Sequence, residues 1–220
     1  MRMRKKKHID ERMAACDAVL IADPADAAGR WRSLFSRDGA PFPENAPLHL
    51  EIGCGKGAFL AETARRNPDV LFVAVECCRE ALLLAMEKIV AAGLDNVRFI
   101  LGDAAALGEV FSPGEVDVIY LNFSDPWPKS RHAKRRLTAP SFLAVYRRIL
   151  ADGGFIRQKT DNVQLFDFSL ESYAACGWRC ENVCRDLHAS PEARDNVLTE
   201  YEINFSGKGM KIHAVTAYKA

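Results

Sequence analysis

Leu48-His49-Leu50-Glu51-Ile52-Gly53-Cys54-Gly55-Lys56-Gly57 is a short strand pattern that runs into three glycines, each separated by one residue. The apolar run is too short for a helix, and glycine at its end permits a sharp turn. A helix pattern follows at once, carries Phe59 and Leu60, and stops at Asn67-Pro68. A strand, a glycine turn and a helix in succession aim the helix's first N–H groups at the space above the strand, where a ligand can approach. The spacing G-x-G-x-G is not the G-x-G-x-x-G of dinucleotide folds. A tight strand–helix turn without a ligand therefore fits the same residues.

The pattern repeats outward from this stretch. Residues 71–75 form a second strand ending at Glu76, and the next helix carries Leu82, Ala85, Met86 and Ile89 on one face before Gly93. Residues 97–101 and 116–121 are the third and fourth strands, the third followed by Gly102-Asp103. Thr138 is expected to cap a helix with Pro140 in its first turn, striped by Phe142, Val145, Tyr146 and Ile149 and ended by Gly153-Gly154. Residues 155–159 are a fifth strand leading into Thr160-Asp161-Asn162, and a helix with Phe166, Leu170 and Tyr173 follows. Residues 178–183 and 199–205 read as two late strands, and 212–217 as a short extended tail. Strands alternating with helices imply an α/β fold, a doubly wound and mostly parallel sheet, with an antiparallel hairpin at one edge. Ligands of such sheets bind beyond the carboxyl ends of the strands. Gly53, Gly55, Gly57, Glu76, Asp103, Asp125 and Asp161 all fall there.

Residues 1–45 form no clear unit and read as a basic N-terminal arm, partly disordered, ahead of a domain spanning 46–220. The net charge is +1, but residues 1–12 hold six cations and two acids, and 129–136 hold five cations and no acid. Two basic patches on an acidic body point to a polyanionic partner. No apolar run approaches the roughly 20 residues that span a bilayer, so no membrane association is expected. The N-terminus has charge without an apolar stretch behind it, unlike a secretory signal, and a cytoplasmic monomer or homodimer is the expectation. Seven cysteines, an odd number, suit reduced thiols. Cys176, Cys180 and Cys184 lack the two-residue spacer of zinc and cluster motifs, so no metal is expected.

Glu76 lies nineteen residues after Gly57, where an acid accepts hydrogen bonds from both hydroxyls of a ribose. That suits an adenosine cofactor of either the nicotinamide or the S-adenosylmethionine type. Asp103 fits either an adenine amino group or the N-cap of a helix over Ala104-Ala105-Ala106. Glu51 fits the cationic end of a cofactor or an ordinary strand acid. The fourth strand runs into Asn-Phe-Ser-Asp-Pro-Trp-Pro-Lys-Ser-Arg-His-Ala-Lys-Arg-Arg, residues 122–136. Asp125 and Trp127 can hold a nucleic-acid base, and Lys129, Arg131, Lys134, Arg135 and Arg136 can hold phosphate. A solvated basic loop is the plainer alternative. His8, His49, His132, His188 and His213 are scattered, and none is assigned a catalytic role.

From residue 48 to 205 the chain resembles the bacterial tRNA (guanine-N7-)-methyltransferases. The resemblance is carried by LEIGCGKG before α-helical sequence, VE at Glu76, GDA at Asp103, FSDPWPKSRHAKRR, TDN at Asp161 and TEYE at Thr199 to Glu202. It implies a Rossmann-like class I methyltransferase fold, S-adenosylmethionine as cofactor and tRNA as partner. It further implies that Glu51, Glu76, Asp103 and Asp125 contact the cofactor. Asp125, which ends the fourth strand between the glycine loop and the basic arm in a turn restricted by Pro126 and Pro128, is also expected to be the catalytic residue, aiming the base. Lys129, Asp161, Thr199, Glu200, Tyr201 and Glu202 would contact the tRNA, with Arg131, Lys134, Arg135 and Arg136 on its backbone. Two other readings remain: an amino-group methyltransferase on adenine or cytosine, and a catalytically silent RNA-binding module.

Overall fold

The computed structural model describes residues 6–205 and 209–219. A short helix α1 (Ile9–Ala14) and a ribbon of β1 (Ser36–Arg37) and β2 (Ala40–Pro41) come first. The repeating part follows as β3 (Leu48–Ile52), α2 (Ala58–Arg66), β4 (Leu71–Glu76), α3 (Arg79–Ala91), β5 (Val97–Leu101), α4 (Leu107–Val110) and β6 (Val116–Asn122). It closes with α5 (Pro140–Ile149), β7 (Leu150–Thr160), α6 (Val163–Ala175), β8 (Trp178–Cys184), α7 (Glu200–Phe205) and β9 (His213–Lys219). The main sheet has the order β5-β4-β3-β6-β7-β9-β8. β3 to β7 are mutually parallel, and β9 runs antiparallel to both β7 and β8. The chain first builds outward from β3 through β4 to β5, then jumps to β6 on the other side. β3 and β6 are thus the topological switch point, where the crevice of a doubly wound sheet opens.

Strand alternation divides the core into two layers. Leu48, Leu50 and Ile52 of β3 pack with Phe111, Leu143, Tyr146 and Phe166 on one face. On the other, Phe72, Val118 and Tyr120 meet Phe59, Leu82 and Met86 of α2 and α3. The sheet is buried from both sides, as parallel strands require. Residues expected to precede the domain also enter this core. Trp31 and Phe35 are fully buried, the Trp31 indole N–H donates to Val110 O at 2.9 Å, and its ring stacks on Phe111. Glu115 accepts from the backbone N–H groups of Gly29, Trp31 and Ser112, tying that segment to the start of β6.

Four local expectations are corrected. Residues 199–205 hold the helix α7, not a strand: Thr199 Oγ1 accepts from the Glu202 N–H and Glu202 Oε2 from the Thr199 N–H, each at 3.0 Å. That reciprocal capping box satisfies the first-turn donors and outweighs the strand-like alternation of Tyr201 and Ile203. The extended tail is a full strand, β9, lying between β7 and β8, so the antiparallel edge is built from β8 and β9. Thr138 does not cap α5, whose N-cap is Ala139; its hydroxyl bonds Ser169 of α6 at 2.8 Å instead. Gly153 and Gly154 lie inside β7, and a Cβ on Gly154 would meet Ala151 O at 2.9 Å. Among the described residues, no helix is long and apolar enough to cross a membrane.

A candidate active site at the strand ends

The glycine turn is held by its neighbours on both sides. Gly53 N–H donates to Val75 O at 2.7 Å, and Gly57 sits at φ +74°. A Cβ on Gly57 would lie 2.8 Å from Ala85 Cβ and 3.0 Å from its Cα, so only glycine lets α2 approach α3 this closely. Glu76 accepts from the Gly55 N–H at 2.9 Å and the Cys78 N–H at 2.8 Å, which fixes the turn against the end of β4. Asp103 Oδ1 accepts from the Ala105 N–H at 2.8 Å, so the helix-cap role is realised.

Glu51 is the unusual member. It is 2 % exposed, its Oε1 accepts from Asn122 Nδ2 at 2.9 Å, and its Oε2 is buried without a partner. Burial pushes its carboxyl up to about 7, although Asn122 and Lys159 pull it back. Unfolded, this group ionises near 4.5. Its contribution to stability is therefore complete below that pH and is lost as pH rises to about 7. Glu51→Gln cannot ionise, so the variant is expected to melt higher than wild type at pH 8, by on the order of 2–3 kcal/mol at most. The two should converge near pH 5. A melting difference independent of pH would show that the carboxyl is not the source.

The segment after β8 folds back over these strand ends. Glu200 accepts from the Ala58 N–H, the first of α2, at 3.0 and 3.1 Å through its two oxygens, and pairs with Lys88. The Tyr201 hydroxyl donates to Asp161 at 2.8 Å, and its ring lies 4.9 Å from that of Phe123. Glu202 is fully buried and accepts from Lys159 Nζ at 2.7 Å and from Asn196 Nδ2 at 2.9 Å. Lys159 spends its other donors on Asn196 Oδ1 and Val197 O. Burial draws Lys159 below the ordinary lysine range, while Glu202 opposes that shift. Burial pushes Glu202 up, but Lys159 and the N–H donors prevail and hold it below the ordinary carboxylate range. Thr199 and Glu202 are thus structural anchors beneath the site, and Glu200 and Tyr201 link it to α2 and to Asp161.

The basic loop after β6 divides into fixed and free cations. Arg136 donates to the carbonyls of Pro126 and Trp127 and lies 4.3 Å over the Phe168 ring, which pins the turn around Asp125. Arg135 covers the Trp127 ring at 4.9 Å, so that ring already carries a cation. Lys129, Arg131 and Lys134 are exposed, without a carboxylate partner among the described residues. Asp125 is exposed and likewise has no hydrogen-bond or ion-pair partner there. Phe123 and Trp127 take left-handed φ of 52° and 42°, rare for bulky residues, so the turn is strained on both sides of Asp125. Beside the strand ends, a cavity of about 680 Å³ runs along the sheet under residues 187–197, reaching Asn122, Lys159 and Asn196.

This arrangement can hold a ligand by its backbone and carboxylates at β3 to β5, and a second at the turn after β6. Comparison with known proteins gives that arrangement a family. A model of putative methyltransferases matches residues 45–215. A relative in Streptococcus sanguinis strain SK36, named a tRNA (guanine-N(7)-)-methyltransferase, is 44 % identical over 217 residues, covering 99 % of each chain. The chain belongs to the bacterial tRNA (guanine-N7-)-methyltransferase family. A relative of the same name in Geobacillus kaustophilus strain HTA426 is 46 % identical, covering all of this chain and 97 % of its own. In fold, this family member is similar to the 16S rRNA methyltransferase KamB, with TM-score 0.60 at 17 % identity over 79 % of this chain and 88 % of that one. It is also similar to an O-methyltransferase of Thermotoga maritima described as SAM-dependent, with TM-score 0.53 at 17 % identity over 100 % of this chain and 68 % of that one. These two show the class I methyltransferase fold.

Sequence reasoning passed over two residues of the methyltransferase's strand ends. Asn122 reads as the first residue of a loop but is the last of β6 and holds Glu51. Lys159 reads as a strand residue beside Thr160-Asp161-Asn162 but is the buried counter-charge to Glu202. The available signal was weak, because Lys159 stands in β7 among Arg157, Gln158 and Thr160; its burial with Glu202 follows from the fold.

Proposed function

We propose that the protein transfers a methyl group from S-adenosylmethionine to N7 of a guanine in the variable loop of tRNA, in the cytoplasm. The observation that carries this reading is the placement, at the carboxyl ends of the central strands β3 and β6, of the glycine turn, the orphaned Glu51 oxygen and the free Asp125 carboxylate. The names of full-length relatives support the tRNA guanine. The donor set fits the cofactor: a buried acceptor without a partner suits an ammonium group, and Glu76 and Asp103 lie at strand ends that suit a ribose and an adenine. When bound, S-adenosylmethionine supplies an electrophilic methyl on a sulfonium.

Guanine N7 has a free lone pair and no proton, so the chain need only orient the base and exclude water. Asp125, held by a turn that Arg136 pins, accepts from the N1–H and amino group of guanine and so aims N7. Lys129, Arg131 and Lys134 hold the tRNA backbone as exposed cations. Incubation with labelled S-adenosylmethionine and unmodified tRNA, followed by nucleoside analysis, tests the reading. The expected product is 7-methylguanosine in the variable loop. Label on an exocyclic amine would make the protein an amino-group methyltransferase, and absence of label would leave an RNA-binding module.

A further inference from the structure

Glu51 has two carboxylate oxygens and only one contact. Oε1 is tied to Asn122 Nδ2 at 2.9 Å, and Oε2 is buried with no partner. Asn122 is itself 9 % exposed and closes β6 next to β3, two residues beyond the Glu51–Tyr120 pair. Its amide makes no other hydrogen bond among the described residues. With Oε1 held to the neighbouring strand, the carboxyl group cannot rotate freely, and Oε2 is left as its open acceptor.

We infer that Asn122 is a positioning residue, which clamps Glu51 so that Oε2 stands ready for the amino group of the bound cofactor. The inference rests on the S-adenosylmethionine reading above and adds a residue and a regulation to it. The surroundings of Glu51 decide how much the clamp matters. Lys159 of β7 favours ionisation, whereas Glu200 of α7 and Glu76 of β4 oppose it. Cys54 of the glycine turn is buried and its thiol is pushed well up, so it adds no charge. Burial is the largest influence on Glu51, and the Asn122 bond is the strongest one against it. Binding an ammonium group at Oε2 requires the ionised form, so cofactor binding should release a proton on the acid side of neutrality.

Two ligands separate positioning from mere packing. S-adenosylhomocysteine carries the amino-acid end, and 5′-methylthioadenosine lacks it. Their affinities are measured by calorimetry from about pH 6 to pH 8.5 on wild type and Asn122→Ala, with melting curves beside them. Wild-type affinity for S-adenosylhomocysteine is expected to rise up to about tenfold over that range and then level off. Asn122→Ala should bind it about tenfold more weakly at pH 7, with the rise displaced to higher pH by about one unit. Affinity for 5′-methylthioadenosine should be unaltered by the substitution and flat with pH. If Asn122→Ala melts too low to assay, the isosteric Asn122→Asp serves instead. It lacks the donor and adds a carboxylate that disfavours ionisation of Glu51, so the rise should be displaced still further to higher pH, with a larger loss of S-adenosylhomocysteine affinity at pH 7 and unchanged affinity for 5′-methylthioadenosine. Equal losses for both ligands, or an unchanged pH profile in a folded variant, would overturn the positioning role while leaving the cofactor reading intact. Failure of wild type to bind either ligand would remove the cofactor reading and this inference with it.

Discussion

Asp125→Ala is expected to lower the single-turnover rate of methyl transfer by about two orders of magnitude, with cofactor affinity changed by far less. The expectation follows from what Asp125 does not do in the free protein. It caps no helix and pairs with no cation among the described residues, so its removal should leave the fold intact. The turn that presents it is instead held by Arg136 on the carbonyls of Pro126 and Trp127, and is strained at Phe123 and Trp127. Strain maintained around a free carboxylate is the usual mark of a placed functional group. Misplacing the nucleophile by about 1 Å is enough for a loss of that size. No base is needed at N7, so the wild-type rate should not follow a single ionisation between about pH 6 and 9. A stable variant with wild-type turnover would remove Asp125 from the mechanism. A wild-type rate tracking one ionisation would make it, or a neighbour, a proton acceptor.

Glu202→Ala should cost about 3–5 kcal/mol of stability, because it strands the Lys159 ammonium in a site that is 9 % exposed. For a chain of this size that is a fall in Tm of roughly 6–20 °C. The same change opens the capping box with Thr199 and releases Asn196, so α7 and residues 187–197 should loosen together. The resemblance to known methyltransferases assigns Glu202 to tRNA contact; its complete burial assigns it first to anchoring. The pair Lys159→Met with Glu202→Leu tells these apart, since replacing both partners removes the unpaired charge. Recovery of both Tm and tRNA affinity in the double variant would mean that Glu202 acts through the fold. Recovered Tm without recovered tRNA affinity would mean that it touches RNA. A single variant with unchanged melting would refute the anchoring role.

The central sheet was legible because parallel strands buried on both faces leave continuous apolar runs, as at 71–75, ended by Glu76, and at 118–121, ended by Asn122. The late part of the chain was legible only in fragments. Tyr201 and Ile203 alternate as a strand would, and the competing signal, Thr199-x-x-Glu202, is a capping box that was read as a substrate motif. β9 was read as a tail because nothing local tells an edge strand from one that inserts between two others. At the site, the chemistry-bearing types at strand ends were readable, but their partners were not. That Arg136 braces the turn while Lys129, Arg131 and Lys134 stay free depends on Phe168 and on carbonyls that no spacing rule locates.

The return of β9 between β7 and β8 has a consequence for how this molecule can diversify. The chain leaves the sheet at Cys184 and re-enters at His213, and Cys184 is the register partner of Ala214. Everything between, including Glu200, Tyr201 and Glu202, is one closed excursion whose two ends are already neighbours. Changing its length alters loop-closure entropy only slowly, by about 0.6 kcal/mol per doubling. Its exposed stretches can therefore change length at little cost in closure entropy, so long as Glu202 keeps its pairing with Lys159 of β7 and Glu200 its bond to the first turn of α2.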